Sequence, residues 1–99
     1  MRIAQVAPLF ESVPPSGYGG TERIVSYLTE ELVRQGHDVT LFATADSVTA
    51  ATLVPGSRRA LRTDPDCKDA AAFHIAMLEQ VAARVDDFDV VHFHSGYYQ

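Results

Sequence analysis

Residues 3–43 carry the pattern that most restricts this chain: an apolar run, a Gly/Pro loop, an amphipathic stretch, a tight Gly-His-Asp turn and a second apolar run. A helix that crosses between two strands through short turns places those strands parallel in one sheet, with a right-handed connection. Ile3 to Ala7 is the first strand, apolar apart from Gln5 and stopped by Pro8, as suits a strand buried on both faces. Pro14, Pro15, Gly17, Gly19 and Gly20 then impose loop conformations. Thr21 is the expected helix N-cap, and Glu22 places a negative charge near the helix's positive end. Ile24, Leu28 and Leu32, with Val25 and Val33 beside them, form the expected buried stripe, while Glu30, Glu31, Arg34 and Gln35 fall largely outside it. Gly36 supplies the left-handed C-terminal stop, and Val39 to Ala43 is the second strand.

Beyond Ala43 the pattern is weaker. Ala51 to Val54 reads as a short third strand, whereas Pro55, Gly56 and Pro65 read as irregular loop. Asp69 caps a second helix reaching about Val85, with Phe73, Met77, Val81 and Val85 at four-residue spacing and Leu78 and Ala82 widening the stripe. Val90, Val91 and Phe93 make a last strand after the Asp86 to Asp89 turn. Strands alternating with helices predict an α/β fold, a three-layer sandwich on a parallel sheet, with the first strand central and the last beside it at an edge. An apolar edge strand is a pairing hazard. The expectation is therefore that further chain covers it in the whole protein, or that copies self-associate there.

The composition excludes several classes of function. With 99 residues, 46% hydrophobic, the chain has the make-up of a globular domain. Its net charge of -5, with Arg58, Arg59 and Arg62 the sole basic cluster, argues against a nucleic-acid partner. Cys67 is the single cysteine, so no internal disulfide forms, and without a nearby base it reads as unreactive. No apolar run approaches the ~20 residues of a membrane span. Met1-Arg2 leads straight into a strand that Pro8 ends, too short for a secretory signal, so the expected compartment is cytoplasmic.

The chemistry concentrates at Ser16-Gly17-Tyr18-Gly19-Gly20-Thr21, between the first strand and the first helix. A helix N-terminus presents unpaired amides and about half a positive charge, and glycines let a diphosphate approach the backbone. The dinucleotide spacing G-x-G-x-x-G is absent, as is the Lys-Ser or Lys-Thr pair of a P-loop. On spacing alone, an anion site and a turn without ligand both stay open. At the end of the last strand, His92 and His94 point to one face, but metal binding is disfavoured because no third ligand stands near.

Met1-Arg2-Ile3-Ala4, the proline after the first strand, Gly19-Gly20-Thr21-Glu22-Arg23 and Arg34-Gln35-Gly36-His37-Asp38-Val39-Thr40 resemble, in that order, glycosyltransferase family 4. The resemblance is clearest over residues 1–45 and 86–95. It implies that residues 1–99 are the N-terminal portion of a Rossmann-like N-terminal domain of a retaining GT-B enzyme. The rest of that domain and a donor-binding C-terminal domain would then lie elsewhere in the protein. By position, Gly19, Gly20 and Thr21 inherit contact with the donor diphosphate, and the Gly-His-Asp-Val turn is structural. The strand ending Asp-Val-Val-His-x-His places His94 near the inter-domain cleft as an acceptor-site candidate, with His92 a satisfied core histidine. Glu11 and Tyr18, in the loop opening toward the cleft, are the other acceptor-site candidates; for both, plain loop roles remain open.

The resemblance further implies a nucleotide-sugar donor as substrate, a small-molecule or glycan acceptor, no cofactor and no essential metal. Catalytic residues are not identified within these 99 residues, and the chain alone is expected to be inactive. Two other readings stay open: a nucleotide-binding module of an oxidoreductase, for which Asp46 lies near the expected acidic position, and a non-enzymatic interaction or assembly domain. His74, in the second helix beside apolar residues, reads as a structural histidine, and the arginine cluster as a solvated patch.

Overall fold

The computed structural model describes residues 1–17, 19–64 and 69–94. Its elements follow the order β1 (Arg2–Val6), α1 (Gly20–Arg34), β2 (Asp38–Thr44), β3 (Thr52–Ser57), a 3-10 turn (Leu61–Thr63), α2 (Ala70–Ala83), a second 3-10 turn (Val85–Asp87) and β4 (Val90–Phe93). The strands form one parallel sheet in the order β3-β2-β1-β4, with Ile3 opposite Val39 on one side and Val90 on the other. The first strand is internal and the last beside it at an edge, as the alternation of elements predicts.

Side chains alternate across the sheet, so each face builds its own core. Ala4, Val6 and Phe42 meet Leu9, Leu61, Met77 and Val81 beneath α2. On the other face, Ala7, Leu41 and Ala43 meet Val13 and Val25 beneath α1. The three layers follow from short βαβ connections that deliver one helix to each face.

Helix α1 ends as expected. Gly36 has φ 93°, the amide of His37 donates to the Leu32 carbonyl at 3.1 Å, and the Gly36 amide donates to Val33 at 3.0 Å. These two bonds satisfy carbonyls that the last turn would otherwise leave open.

The start of α1 differs from expectation. Gly19, not Thr21, is the N-cap, with φ 134° and no side-chain capping bond, and Thr21 is an exposed second residue of the helix. A glycine in this conformation turns the chain directly into the helix two residues earlier than a threonine cap at Thr21 would.

The buried face of α1 is also rotated from the expected stripe. Glu22, Val25, Ser26 and Thr29 face inward, whereas Ile24 is 62% exposed. Polar anchors set this rotation. Glu30 accepts from the Thr49 hydroxyl at 2.6 Å and from the Ala50 amide at 3.1 Å, holding that flank of the helix over the β2–β3 connection.

Strand β3 runs through Pro55 and Gly56, which the sequence assigns to a loop. An edge strand tolerates proline because one set of its backbone groups has no ladder partner. The register shifts at Ala43/Thr44, where Ala43 faces Pro55 and Thr44 faces Ser57. A Cβ on Gly56 would lie 3.0 Å from Met77 Sδ and 3.1 Å from Leu9, so glycine permits the close approach of α2.

Asp69 caps α2 as predicted, accepting from the amides of Ala71 at 3.1 Å and Ala72 at 3.4 Å. The helix stops at Ala83, and its inward residues are His74, Met77 and Val81. Phe73 and Val85 are exposed instead. The correction has a long-range cause, since His74 makes a hydrogen bond to the loop after β1 that only an inward position allows. Its Nε2 accepts from the Leu9 amide at 3.0 Å, and its Nδ1 donates to the Ala70 carbonyl at 2.8 Å. Among the described residues, no helix is long and apolar enough to cross a membrane.

Candidate functional site

The carboxyl ends of β1 and β4 flank the point where the strand order reverses, with β2 on one side of β1 and β4 on the other. Open parallel sheets collect ligands in the crevice outside such a switch point. The loop after β1 delivers Gly19 and Gly20 to this end of the sheet, and β4 delivers His94.

At the start of α1, the first helical bond runs from the Arg23 amide to the Gly19 carbonyl at 3.1 Å. The Glu22 amide is engaged by its own carboxyl group. Among the described residues, the Gly20 and Thr21 amides have no acceptor. A Cβ on Gly20 would meet nothing within 4 Å, whereas one on Gly19 would lie 3.0 Å from both Glu11 Cγ and Glu22 Oε1. The two glycines therefore do different work: Gly19 permits a close internal approach, and Gly20 borders open space.

Beneath the loop lies a charge cluster that composition and spacing do not reveal. Glu11 and Glu22 are both buried, and Arg62 donates from Nε to Glu11 Oε1 at 2.5 Å. Arg62 also lies 5.8 Å from the centroid of the Phe10 ring. The expected solvated arginine patch is thus a structural tie at Arg62, and Arg59 pairs with the buried side chain of Asp64 at 3.0 Å. Burial pushes the Glu22 carboxyl above its ordinary range, the neighbouring Glu11 adds to the rise, and its own amide and Arg62 oppose it. Glu11, an acceptor-site candidate by sequence, is occupied by Arg62 and sits inside the protein.

His94 follows β4 and is half-buried. Its amide donates to the Val6 carbonyl at 3.0 Å, and its Nε2 donates to Gln5 Oε1 at 2.7 Å. The His92 and His94 rings lie with centroids 4.0 Å apart. Burial, with a smaller contribution from His92, holds the His94 imidazole down at about 4. His92 is exposed and not the core histidine that the sequence reading expects, because its strand is at the edge of the sheet. Tyr18 and Cys67 lie outside the described residues. No group of three His, Cys, Asp or Glu side chains suited to a metal occurs among the described residues.

Asp46 bears on the oxidoreductase alternative. Its carboxylate takes the Thr44 hydroxyl and, at 3.3 Å, the Ala60 amide, so both oxygens serve the loop after β2. These contacts give Asp46 a structural role in its own loop.

The family model described as Glycosyltransferase Family 4 matches residues 18–99. The chain belongs to glycosyltransferase family 4. Among solved structures, this family 4 chain is similar to AviGT4, a glycosyltransferase involved in avilamycin A biosynthesis, at 27% sequence identity and a TM-score of 0.59. The match covers 99% of this chain and 27% of that one, so the family 4 chain spans about a quarter of its structural neighbour's length. No curated protein matches it. The resemblance read from the Gly19-Gly20-Thr21-Glu22-Arg23 segment and its companions is borne out, as is the Rossmann-like α/β class with its parallel sheet.

Proposed function

We propose that this chain is the beginning of the N-terminal domain of a retaining GT-B glycosyltransferase, which moves a sugar from a nucleotide-sugar donor to a small-molecule or glycan acceptor. The single observation that carries the reading is the pair of unpaired amides at Gly20 and Thr21, at a helix start that borders the switch point of the sheet. The donor diphosphate receives hydrogen bonds from these amides, and the helix's positive end stabilises the charge that develops as the sugar leaves. Gly19 sets the turn and Gly20 keeps the approach clear of side chains. His94, across the switch point, contributes to the acceptor side. No cofactor or metal is invoked, and the remaining donor contacts come from a second domain that closes over this face.

Two amides cannot balance a diphosphate by themselves, so the 99-residue chain alone transfers no sugar. The test is to express the protein to its natural end and measure transfer or hydrolysis across a panel of nucleotide-sugars, alongside its Gly20→Ala variant. Activity that falls at least tenfold in kcat/KM for the donor, with folding intact, supports the reading. Full activity in Gly20→Ala removes the phosphate role, and no reaction with any nucleotide-sugar removes the enzyme. The dinucleotide-dependent alternative has no specific observation in its favour, since the contacts shown for Asp46 are to the Thr44 hydroxyl and the Ala60 amide.

A further inference from the structure

Gln5 stands where an apolar residue would be expected. It lies in the middle of the internal strand β1, is fully buried, and faces the same side of the sheet as Ile3 and Ala7. Its side-chain oxygen accepts from His94 Nε2 at 2.7 Å, while its side-chain nitrogen is buried with no partner among the described residues. A leucine or valine would fill this space without burying an unpaired amide nitrogen, a group that proteins rarely leave unsatisfied. What the glutamine uniquely provides is the oxygen that meets His94.

An amide oxygen can only accept, so the ring nitrogen facing it must carry the proton. A neutral imidazole has one N–H, and the other nitrogen is then a bare acceptor. His94 Nδ1 has no partner among the described residues. The ring is further held by the His94 amide bond to Val6 and by the His92 ring 4.0 Å away, so its position is fixed by backbone, neighbour and glutamine together.

We propose that Gln5 is a positioning residue for His94: it locks the Nε2–H tautomer and so presents Nδ1 as a hydrogen-bond acceptor at the carboxyl end of the sheet. The ligand chemistry this suits is a hydroxyl that donates to Nδ1. That assignment rests on the glycosyltransferase reading, in which the hydroxyl belongs to the sugar acceptor. The positioning itself does not rest on it, because it is a property of two side chains in the folded chain.

The test is nitrogen-15 spectroscopy of the histidine rings in the 99-residue chain at neutral pH. The wild type is expected to show His94 as a single Nε2–H tautomer, with an imidazole proton that exchanges slowly enough to be observed. Gln5→Met keeps the size of the side chain and removes the acceptor, and is expected to speed exchange of that proton at least tenfold. Gln5→Glu restores an acceptor and is expected to restore the protection. A wild-type His94 protonated at Nδ1, or an exchange rate unchanged in Gln5→Met, overturns the proposal. Should Gln5→Met fail to fold, the wild-type tautomer and the protection in Gln5→Glu still decide. A correct tautomer with no transfer activity in the extended protein would leave Gln5 in its role and discard the sugar acceptor; the converse would discard Gln5 alone.

Discussion

Gly19 and Gly20 are neighbours with opposite tolerances. Gly19 combines φ 134° with two atoms at 3.0 Å from any added Cβ. Gly19→Ala is therefore expected to lower stability by about 1–3 kcal/mol in urea unfolding, through backbone strain and the displacement of Glu11 and Glu22. Gly20 has open space and no left-handed backbone, so Gly20→Ala is expected to leave stability unchanged or raise it by about 0.4–1 kcal/mol, by restricting the unfolded chain. This contrast separates a folding glycine from a binding one. Two titrations also belong to single residues. Glu22 binds its proton more tightly folded than unfolded, so its contribution is complete below its ordinary value of 4.5 and is lost as pH rises through the raised value. Glu22→Gln is expected to flatten that fall in a stability-against-pH series. His94 has the opposite sign: its folded value of about 4 lies below the ordinary 6.5, so its contribution is present above 6.5 and is lost as pH falls toward 4. Proton spectra of the ring should show it still neutral at pH 5.5, and a ring that charges near 6.5 would contradict the burial described for it.

The elements were legible in the sequence to different depths, for physical reasons. Strands β1, β2 and β4 and the N-cap of α2 could be read because each depends on local chemistry: an apolar run, a proline stop, an aspartate before a helix. The faces of the helices could not, because long-range polar contacts decide them. Glu30 reaches residues nearly twenty positions away, and His74 bonds Leu9 across sixty-five. Apolar periodicity therefore pointed Ile24 and Phe73 inward, whereas Thr29 and His74 take those places. Similarly, Gly19-Gly20 was visible as a candidate from its composition, but the Glu11–Arg62 tie beneath it joins residues 51 apart and leaves no local signature. His74 offers a direct check on this reading. His74→Leu keeps an apolar filling for the α2 face but strands the buried Leu9 amide, and a loss of about 1–3 kcal/mol is expected. A variant as stable as the wild type would mean that packing alone holds α2 to the loop after β1.

At the scale of the whole molecule, the two rims of the sheet are unlike. On β4, Val90 is 43% and Phe93 38% exposed, and one side of the strand's backbone has no neighbour among the described residues. Concentrated solutions of the 99-residue chain are expected to self-associate through that strand, and Val90→Lys is expected to reverse it, as measured by sedimentation velocity. Equal association in both would place the contact elsewhere. The opposite rim is β3, where Pro55 offers no N–H and the bulge at Ala43/Thr44 breaks the regular ladder. That rim is a poor template for pairing. A copy joined β4 to β4 would therefore use up the one sticky margin that the sheet offers among the described residues, so that association through the sheet closes at a symmetric pair and has no route onward to a fibre.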